Sequence, residues 1–443
     1  MTMNENVSAS PKPGFGEALK VWFKIGCLSF GGPAGQIALM HRVVVDEKKW
    51  LPEGRFLHAL NFCMLLPGPE AQQLATYVGW LLHGVRGGLA AGILFVLPGA
   101  CVMLGLSLLY AYGRGIPAID GALYGIKCAV LVIVVEALIR IGKRALKSSM
   151  LAGVAAAAFI AIYFLALPFP LIVAAAGLIG YLAARFDPKQ TAHTAANDNT
   201  AAPVSGRWRH AAVTVLTGLA VWWLPILAIV LILGPQHVLV TIGLFFSKLA
   251  VVTFGGAYAV LAYMAQQVVE TNHWMTAPEM VDALGLAETT PGPLILITQF
   301  VGFLAAFRDA APFTPLTAGL IGTALTLWVT FVPSMMWIFV GAPFIEELRG
   351  NRRLAGALAA ITAAVVGVIL NLSVWFALHV LFGTVTETHY GPLRWYAFDE
   401  RALDQRVLVL AATAAILTFR FHRSLIEVIG VMALLGIATR FYG

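Results

Sequence analysis

Two Pro-Gly-Pro tripeptides, Pro67-Gly68-Pro69 and Pro291-Gly292-Pro293, interrupt apolar stretches of this sequence, and each is preceded by a Phe-Gly-Gly, Phe30-Gly31-Gly32 and Phe254-Gly255-Gly256. Proline removes a backbone donor and disfavours helix in the residue before it, while glycine admits backbone angles that other residues avoid. A helix must therefore stop and restart at each of these places. In lipid the freed N–H and C=O groups need partners, so such a break persists only where it is buried or lines a cavity. The restarted helix offers unpaired N–H groups and a partial positive charge, which is chemistry that suits an anion. Ser29 and Thr253 directly precede the two Phe-Gly-Gly runs and add hydroxyl donors. Lys24 and Lys248 would supply full charge about 15 Å down their helices. A lysine at that depth costs about 2.5–3.5 kcal/mol on insertion scales and is seldom kept without a use. The bland alternatives are a packing kink at each proline and a lysine that snorkels to the headgroups. Recurrence at matching positions favours a site.

Carboxylates next to the breaks would link such a site to protons. Glu70 follows the first Pro-Gly-Pro and Glu288 precedes the second. An intramembrane carboxylate beside an anion path either titrates or pairs with a lysine. Glu136 is a third proton-coupling candidate, matched in the second half by Asn371, although it could simply cap the basic stretch that begins at Arg140. Gln72, Gln73 and Gln299 are neutral donors just past the breaks, and His41, His58 and His83 read as interfacial. Cys27, Cys63, Cys101 and Cys128 lie in apolar segments without metal-ligand spacing and read as buried thiols. No metal site, cofactor motif, nucleotide-binding loop or hydrolase signature is present. The expectation is therefore a non-enzymatic protein without a cofactor, in which uphill work draws on an ion gradient.

The elements that position these residues are membrane helices. Hydrophobic residues make up 59% of the chain and charged ones 12%, against roughly a quarter charged in soluble domains. The net charge of +7 comes from basic residues beside apolar segments, such as Arg140, Lys143, Arg144 and Lys147. That pattern marks cytoplasmic loops on a bilayer rather than nucleic-acid binding. The polar start of the chain has no apolar core followed by a cleavage site, so no cleaved leader is expected. A span needs about 20 apolar residues. On that basis the expected fold is an all-α polytopic membrane protein with about thirteen transmembrane segments: 15–41, 56–82, 87–112, 117–139, 150–166, 168–185, 211–233, 238–265, 279–306, 315–341, 354–382, 405–420 and 424–441.

The chain contains an internal repeat. At an offset of 224, Lys24 meets Lys248, the Phe-Gly-Gly and Pro-Gly-Pro runs coincide, and Ala38, Met40, Val44, Val45, Trp50, Ala59 and Leu60 recur. Past residue 308 the offset becomes 235, so that Pro98 meets Pro333 and Glu136 meets Asn371. The expected domains are a polar tail 1–14, a first repeat 15–185, a flexible linker 186–210, a connecting segment 211–237 and a second repeat 238–443. One unpaired span between the halves would invert the second relative to the first, the architecture in which transporters hold substrate between broken helices. Charge supports this only in part. If every segment crosses, loop 42–55, with Arg42, Lys48, Lys49 and Arg55, falls outside, and loop 266–278, with no lysine or arginine, falls inside; either the first or second segment is re-entrant or the halves are not inverted.

The segments FKIGCLSFGGPAGQIALMHR and NFCMLLPGPEAQQLATYVGWLLHGVRGGLAAGILFVLPGA, with FSKLAVVTFGGAYAVLAYM and ETTPGPLILITQFVGF in the second half, resemble the chromate ion transporter family. The resemblance covers roughly 15–140 and 240–380. It implies two homologous halves of opposite orientation and export of chromate across the bacterial inner membrane, coupled to the proton gradient or to exchange with an oxyanion such as sulfate. Glu70 and Pro33 depart from the pattern of the second half, where Leu294 and Ala257 stand, so the halves are not expected to contribute equally. Chromate and sulfate, alike in size and charge, are not separated by this reasoning. A sulfate or molybdate carrier, a lipid-phosphate enzyme, a role in chromate resistance and a homodimer all stay open.

Overall fold

The computed structural model describes residues 13–186, 207–254, 257–342, 352–382, 385–391 and 393–442. Most of the expected tail and linker, together with Gly255 and Gly256, lie outside the described residues. The fold is helical, as its composition requires, with one exception noted below. Five helices are long and apolar enough to cross a membrane among the described residues, fewer than the thirteen expected segments. Part of the difference has a physical cause. All four expected segments that contain a Phe-Gly-Gly or a Pro-Gly-Pro are broken in two there, and the second piece of 56–82 runs on with 87–112 as one helix.

In the first half these are α1 (Phe15–Leu28) with α2 (Gly32–His41), and α3 (Glu53–Cys63) with the start of α4 (Glu70–Gly113). The α4 helix folds back on itself at His83 and Gly84, whose backbone leaves the helical region, with Gly84 at φ +64°. A side chain at Gly79 or Gly87 would strike the opposite arm, so these glycines set how closely the arms 70–82 and 85–113 approach. The ends of the broken pairs lie together. Lys48, just after α2, pairs with Glu17 in the first turn of α1 at 2.7 Å. The His83 ring hydrogen-bonds the Pro13 carbonyl at 2.8 Å. Both pairs of helices are thus hairpins whose open ends share one face of the molecule with residues 13–17.

Helices α5 (Pro117–Ala145), α6 (Ser149–Tyr163) and α7 (Phe169–Phe186) complete the first half, and α8 (Arg207–Leu233) leads to the second. There α9 (Val238–Val252) with α10 (Ala257–Gln266), and α11 (Ala277–Thr289) with α12 (Ile297–Arg308), repeat the broken pairs. Their open ends also meet. Arg308 binds Glu279 at 2.6 Å and the Trp274 carbonyl at 2.8 Å, and His237 reaches the Ala311 carbonyl at 2.8 Å. Tyr112, at the far end of α4, packs edge-on against Phe307 of α12 with centroids 5.4 Å apart. The open ends of the second set therefore lie at the opposite end of the 85–113 arm from Pro13.

Helices α13 (Pro315–Gly341), α14 (Arg352–Leu381), α15 (Gln405–Ala415) and α16 (Leu425–Tyr442) follow. The halves interlock: α14 packs on α6 and α7, α16 on α5, and α11 on α5. Gly125 lies so close to the Met432 carbonyl that any side chain would collide, an approach typical of membrane helix pairs. The exception to the helical fold is a hairpin of β1 (Val385–Tyr390) and β2 (Leu393–Phe398), paired antiparallel between α14 and α15. The sequence reading did not foresee it. At the matching place in the first half, α5 and α6 are joined by residues 146–148 alone.

Candidate functional site

The four breaks converge. The α1 helix ends at Leu28, where Ser29 Oγ donates to the Ile25 carbonyl at 2.6 Å, and Gly31 and Gly32 take positive φ of +84° and +69° before α2 restarts. The α9 helix ends in the same way, with Thr253 Oγ1 donating to the Leu249 carbonyl at 2.6 Å. The two hydroxyls were expected to serve an anion, but they close their own helix ends. Gly68 and Gly292 adopt positive φ of +131° and +87° at the two Pro-Gly-Pro turns. Each turn bonds to the Phe-Gly-Gly break of the other half. Gly68 N–H donates to the Thr253 carbonyl at 2.8 Å, and Gly292 N–H donates to the Ser29 carbonyl at 2.7 Å. Ser29 and Thr253 are themselves repeat partners, so one contact is made twice.

Side chains finish the tips. Gln36, buried on α2, donates to the Gly292 carbonyl at 2.5 Å. Gln73 donates to the Pro67 carbonyl at 2.8 Å, and Gln299 to the Ala100 carbonyl at 2.9 Å. Gln72 accepts from Ser334 at 2.7 Å and donates to Thr76 at 3.0 Å. The three glutamines expected as anion donors thus each donate one amide hydrogen bond inside the protein. Between the tips lies a narrow cleft, lined by Pro33, Gln36, Pro69, Glu70, Ala71, Pro293, Leu294 and Ile295. It receives the first turns of α2 and α4, neither closed by a capping side chain, and the single turn Leu294–Leu296 that opens α12. Helix starts carry partial positive charge, and Glu70 is the one carboxylate in the lining.

Other expected site residues lie elsewhere. Lys24 and Lys248 are exposed on α1 and α9 and do not line the cleft, which corrects the expectation of two buried lysines there. The reason is helical phase. On α1 the buried face runs through Ala18, Val21, Trp22 and Ile25, which places Lys24 on the opposite stripe with Lys20 and Glu17. Lys248 Nζ lies 5.6 Å from the centroid of the Tyr263 ring. Glu288 is buried in the last turn of α11 and is not part of the cleft lining. Glu136 pairs with Arg140 at 3.8 Å, one helical turn away, which is the bland role considered for it. Asn371 is buried on α14 in a different pocket.

Two features were missed. Gln36 carries no repeat signal, because its partner position is Val260; a lone long amide just past a break was the available clue. Asp282, on α11, is 1% exposed and binds Lys127 at 2.9 Å, Arg114 at 3.0 Å and Tyr110 at 2.8 Å. This cluster ties the second Pro-Gly-Pro hairpin to α4 and α5 of the first half. A carboxylate in MVDALGL and a lysine in YGIKCAV, both inside apolar runs, marked it.

Comparison with known proteins bears on the same segments. Residues 16–181 and 240–437 match the family described as Chromate transporter. This chain belongs to the chromate transporter family. A chromate transport protein of Pseudomonas aeruginosa is 30% identical over 79% of this chain and 77% of its own length. Another, from Cupriavidus metallidurans, is 26% identical over 82% of this chain and 83% of its own. No solved structure matches. As a member of the chromate transporter family, the chain is a multi-pass membrane transporter and not an enzyme, and the tips brought together above fall within both matched regions.

Proposed function

We propose that this protein exports chromate, a tetrahedral dianion, from the bacterial cytoplasm through the cleft between two inverted repeats, residues 15–185 and 238–443. The reciprocal bonds of Gly68 to Thr253 and of Gly292 to Ser29 carry the reading. They join two sets of hairpin tips whose open ends sit at opposite ends of the second arm of α4. Each hairpin then enters and leaves the membrane on one side instead of crossing it. This removes the charge conflict in the sequence. Loop 42–55 shares the face of the N-terminus through the Lys48–Glu17 pair, and loop 266–278 shares the opposite face with Arg308. Basic loops then gather on one face, the cytoplasmic one.

In the cleft, the starts of α2, α4 and α12 stabilise an oxyanion, and Glu70 makes its stay depend on protons. A charged Glu70 claims the positive helix ends for itself; a protonated one yields them. A dianion taken up with one proton carries a net charge of −1. An inside-negative potential drives that charge outward by about 2.3 kcal/mol per 100 mV. Lys24 and Lys248, one to two turns before the breaks and outside the cleft, draw the anion toward it.

The test is accumulation of labelled chromate in inverted membrane vesicles, with and without an uncoupler, and with sulfate or molybdate as competitor. The expected result is saturable uptake that the uncoupler abolishes. Lys24→Met and Lys248→Met are expected to raise KM, and Glu70→Gln to flatten the pH dependence. Wild-type vesicles that accumulate no chromate, sulfate or molybdate would sink the reading.

A further inference from the structure

A second polar pocket lies between α10 and α14 and is capped by the β-hairpin; its polar lining comprises Gln266, Glu270, Asn371, Trp375, Arg394 and Tyr396. The α10 helix runs from the Phe254 tip to this pocket, so the pocket marks the outer end of the tip's own arm. Arg394 is 2% exposed and partly committed. Its Nε donates to the Tyr163 carbonyl at 3.1 Å and one terminal nitrogen to the Ile162 carbonyl at 2.6 Å, at the end of α6. The other terminal nitrogen faces the Glu270 carboxylate at 3.7 Å and the Glu387 carboxylate at 3.9 Å, both beyond hydrogen-bond reach. Asn371, 8% exposed, has an Oδ1 without a hydrogen-bond partner among the described residues. Its amide can present either end to a ligand.

The matching end of the first half differs in its charges. The counterparts of Gln266 and Trp375 in the first half are Arg42 and Arg140. Those arginines pair with Glu47 at 3.7 Å and Glu136 at 3.8 Å, so the corresponding end of the first half holds guanidinium groups of its own. The second half has neither, and the hairpin places one guanidinium beside Gln266 and Trp375.

We propose that Arg394, Asn371 and Gln266 form a second station for a small tetrahedral oxyanion, at the outer end of the α10 arm, with the Glu270 carboxylate standing in for the anion when the station is empty. The proposal rests on the transport reading above and extends it to a residue set outside the tip cleft. Burial and the neighbouring Glu387 push the Glu270 carboxyl above its usual range, although Arg394, Gln266 and His389 oppose the shift. Glu387 is itself engaged with His389 at 2.9 Å, and the remaining titratable groups facing the pocket are Tyr396 and Tyr163. A neutral Glu270 leaves Arg394 to the anion. Occupancy should therefore rise as pH falls through the titration of Glu270 and be lost as pH climbs above it.

The experiment uses the full chain in lipid nanodiscs, with sulfate as the probe and tryptophan fluorescence as the readout, since Trp375 lines the pocket. Sulfate is expected to change the emission more tightly at pH 5.5 than at 7.5, and Trp375→Phe to remove the signal. Glu270→Gln should bind about tenfold more tightly than wild type at pH 7.5 and lose the pH dependence, because one like charge is gone. Asn371→Leu should weaken binding about tenfold. Arg394 anchors α6, so these variants are chosen to leave that anchor in place. A Glu270→Gln protein that keeps the wild-type pH profile, or a signal that survives Trp375→Phe, overturns the station. If that happens while wild-type vesicles still accumulate oxyanion, the cleft reading stands and only the station is lost.

Discussion

Alanine at Gly68 should damage this protein more than alanine at Gly292, although the two are repeat partners in identical tripeptides. Both residues have positive φ, where a side chain brings backbone strain of about 1–3 kcal/mol. The surroundings differ. A methyl group at Gly68 would lie 2.8 Å from Gln73 Nε2 and 2.9 Å from Ser334 Oγ, both already held by hydrogen bonds to Pro67 and Gln72. Overpacking of that kind adds about 1–3 kcal/mol. At Gly292 the nearest atom is Leu296 Cδ1 at 3.3 Å, the far end of a flexible chain that can move. The ledger is then about 2–6 kcal/mol for Gly68→Ala against about 1–3 for Gly292→Ala. Gly105, on an exposed stretch of α4 with nothing within 4 Å of an added methyl, serves as a neutral control. Thermal unfolding of the detergent-purified variants, followed by gel filtration, ranks the three. Chromate uptake should fall in the same order. Equal losses at Gly68 and Gly292, or a larger one at Gly292, would refute the claim that the local contacts set the cost.

Two more outcomes follow from buried polar contacts. Asp282→Asn leaves Lys127, 20% exposed, without its counter-charge and should destabilise by about 3–5 kcal/mol; the leg to Arg114, 45% exposed, adds little. Adding Lys127→Met should recover most of that loss, and a double variant less stable than the single one would contradict the pairing. Gln36→Leu removes the side-chain donor to the Gly292 carbonyl and should cost about 1–3 kcal/mol, read as a lower unfolding temperature with a matching loss of uptake; an unchanged protein would show that the carbonyl has another partner.

The sequence made the breaks legible because proline and glycine act through the backbone, and the backbone consequence is local. The offset of 224 likewise exposed the repeat, matching each Phe-Gly-Gly and each Pro-Gly-Pro with its copy, but not the bonds between the two kinds of break. What a linear reading left open was direction. An apolar stretch such as 15–41 is long enough to cross, and nothing in its hydropathy says that it turns back at Gly31 and Gly32. The clue was the misplaced charge of loop 42–55, which a hairpin explains and a crossing does not. Phase was the second loss. Lys24 and Lys248 were judged by depth alone, while Ala18, Val21, Trp22 and Ile25 show which face of α1 is packed. The Arg394 hairpin was illegible for a different reason: its strands lie between the expected spans 354–382 and 405–420, in a connection where no regular element was sought.

A break in a membrane helix frees donors and acceptors that lipid cannot satisfy, and here each half meets the need of the other. These contacts run from backbone to backbone, so they tolerate sequence change: Ser29 and Thr253 differ, yet both carbonyls accept the same bond. The cleft is different. Of its lining, Pro33, Gln36, Glu70 and Ala71 have Ala257, Val260, Leu294 and Ile295 as partners, and only Pro69 and Pro293 agree. The cleft lining is therefore unlike in the two halves, while the bonds that hold the tips are made in duplicate. A symmetric cleft would offer a carboxylate from both halves or from neither. One Glu70 opposite an apolar Leu294 gives a single carboxylate to a site built from two equivalent frames, and the proposed uptake of one proton with each anion rests on that asymmetry.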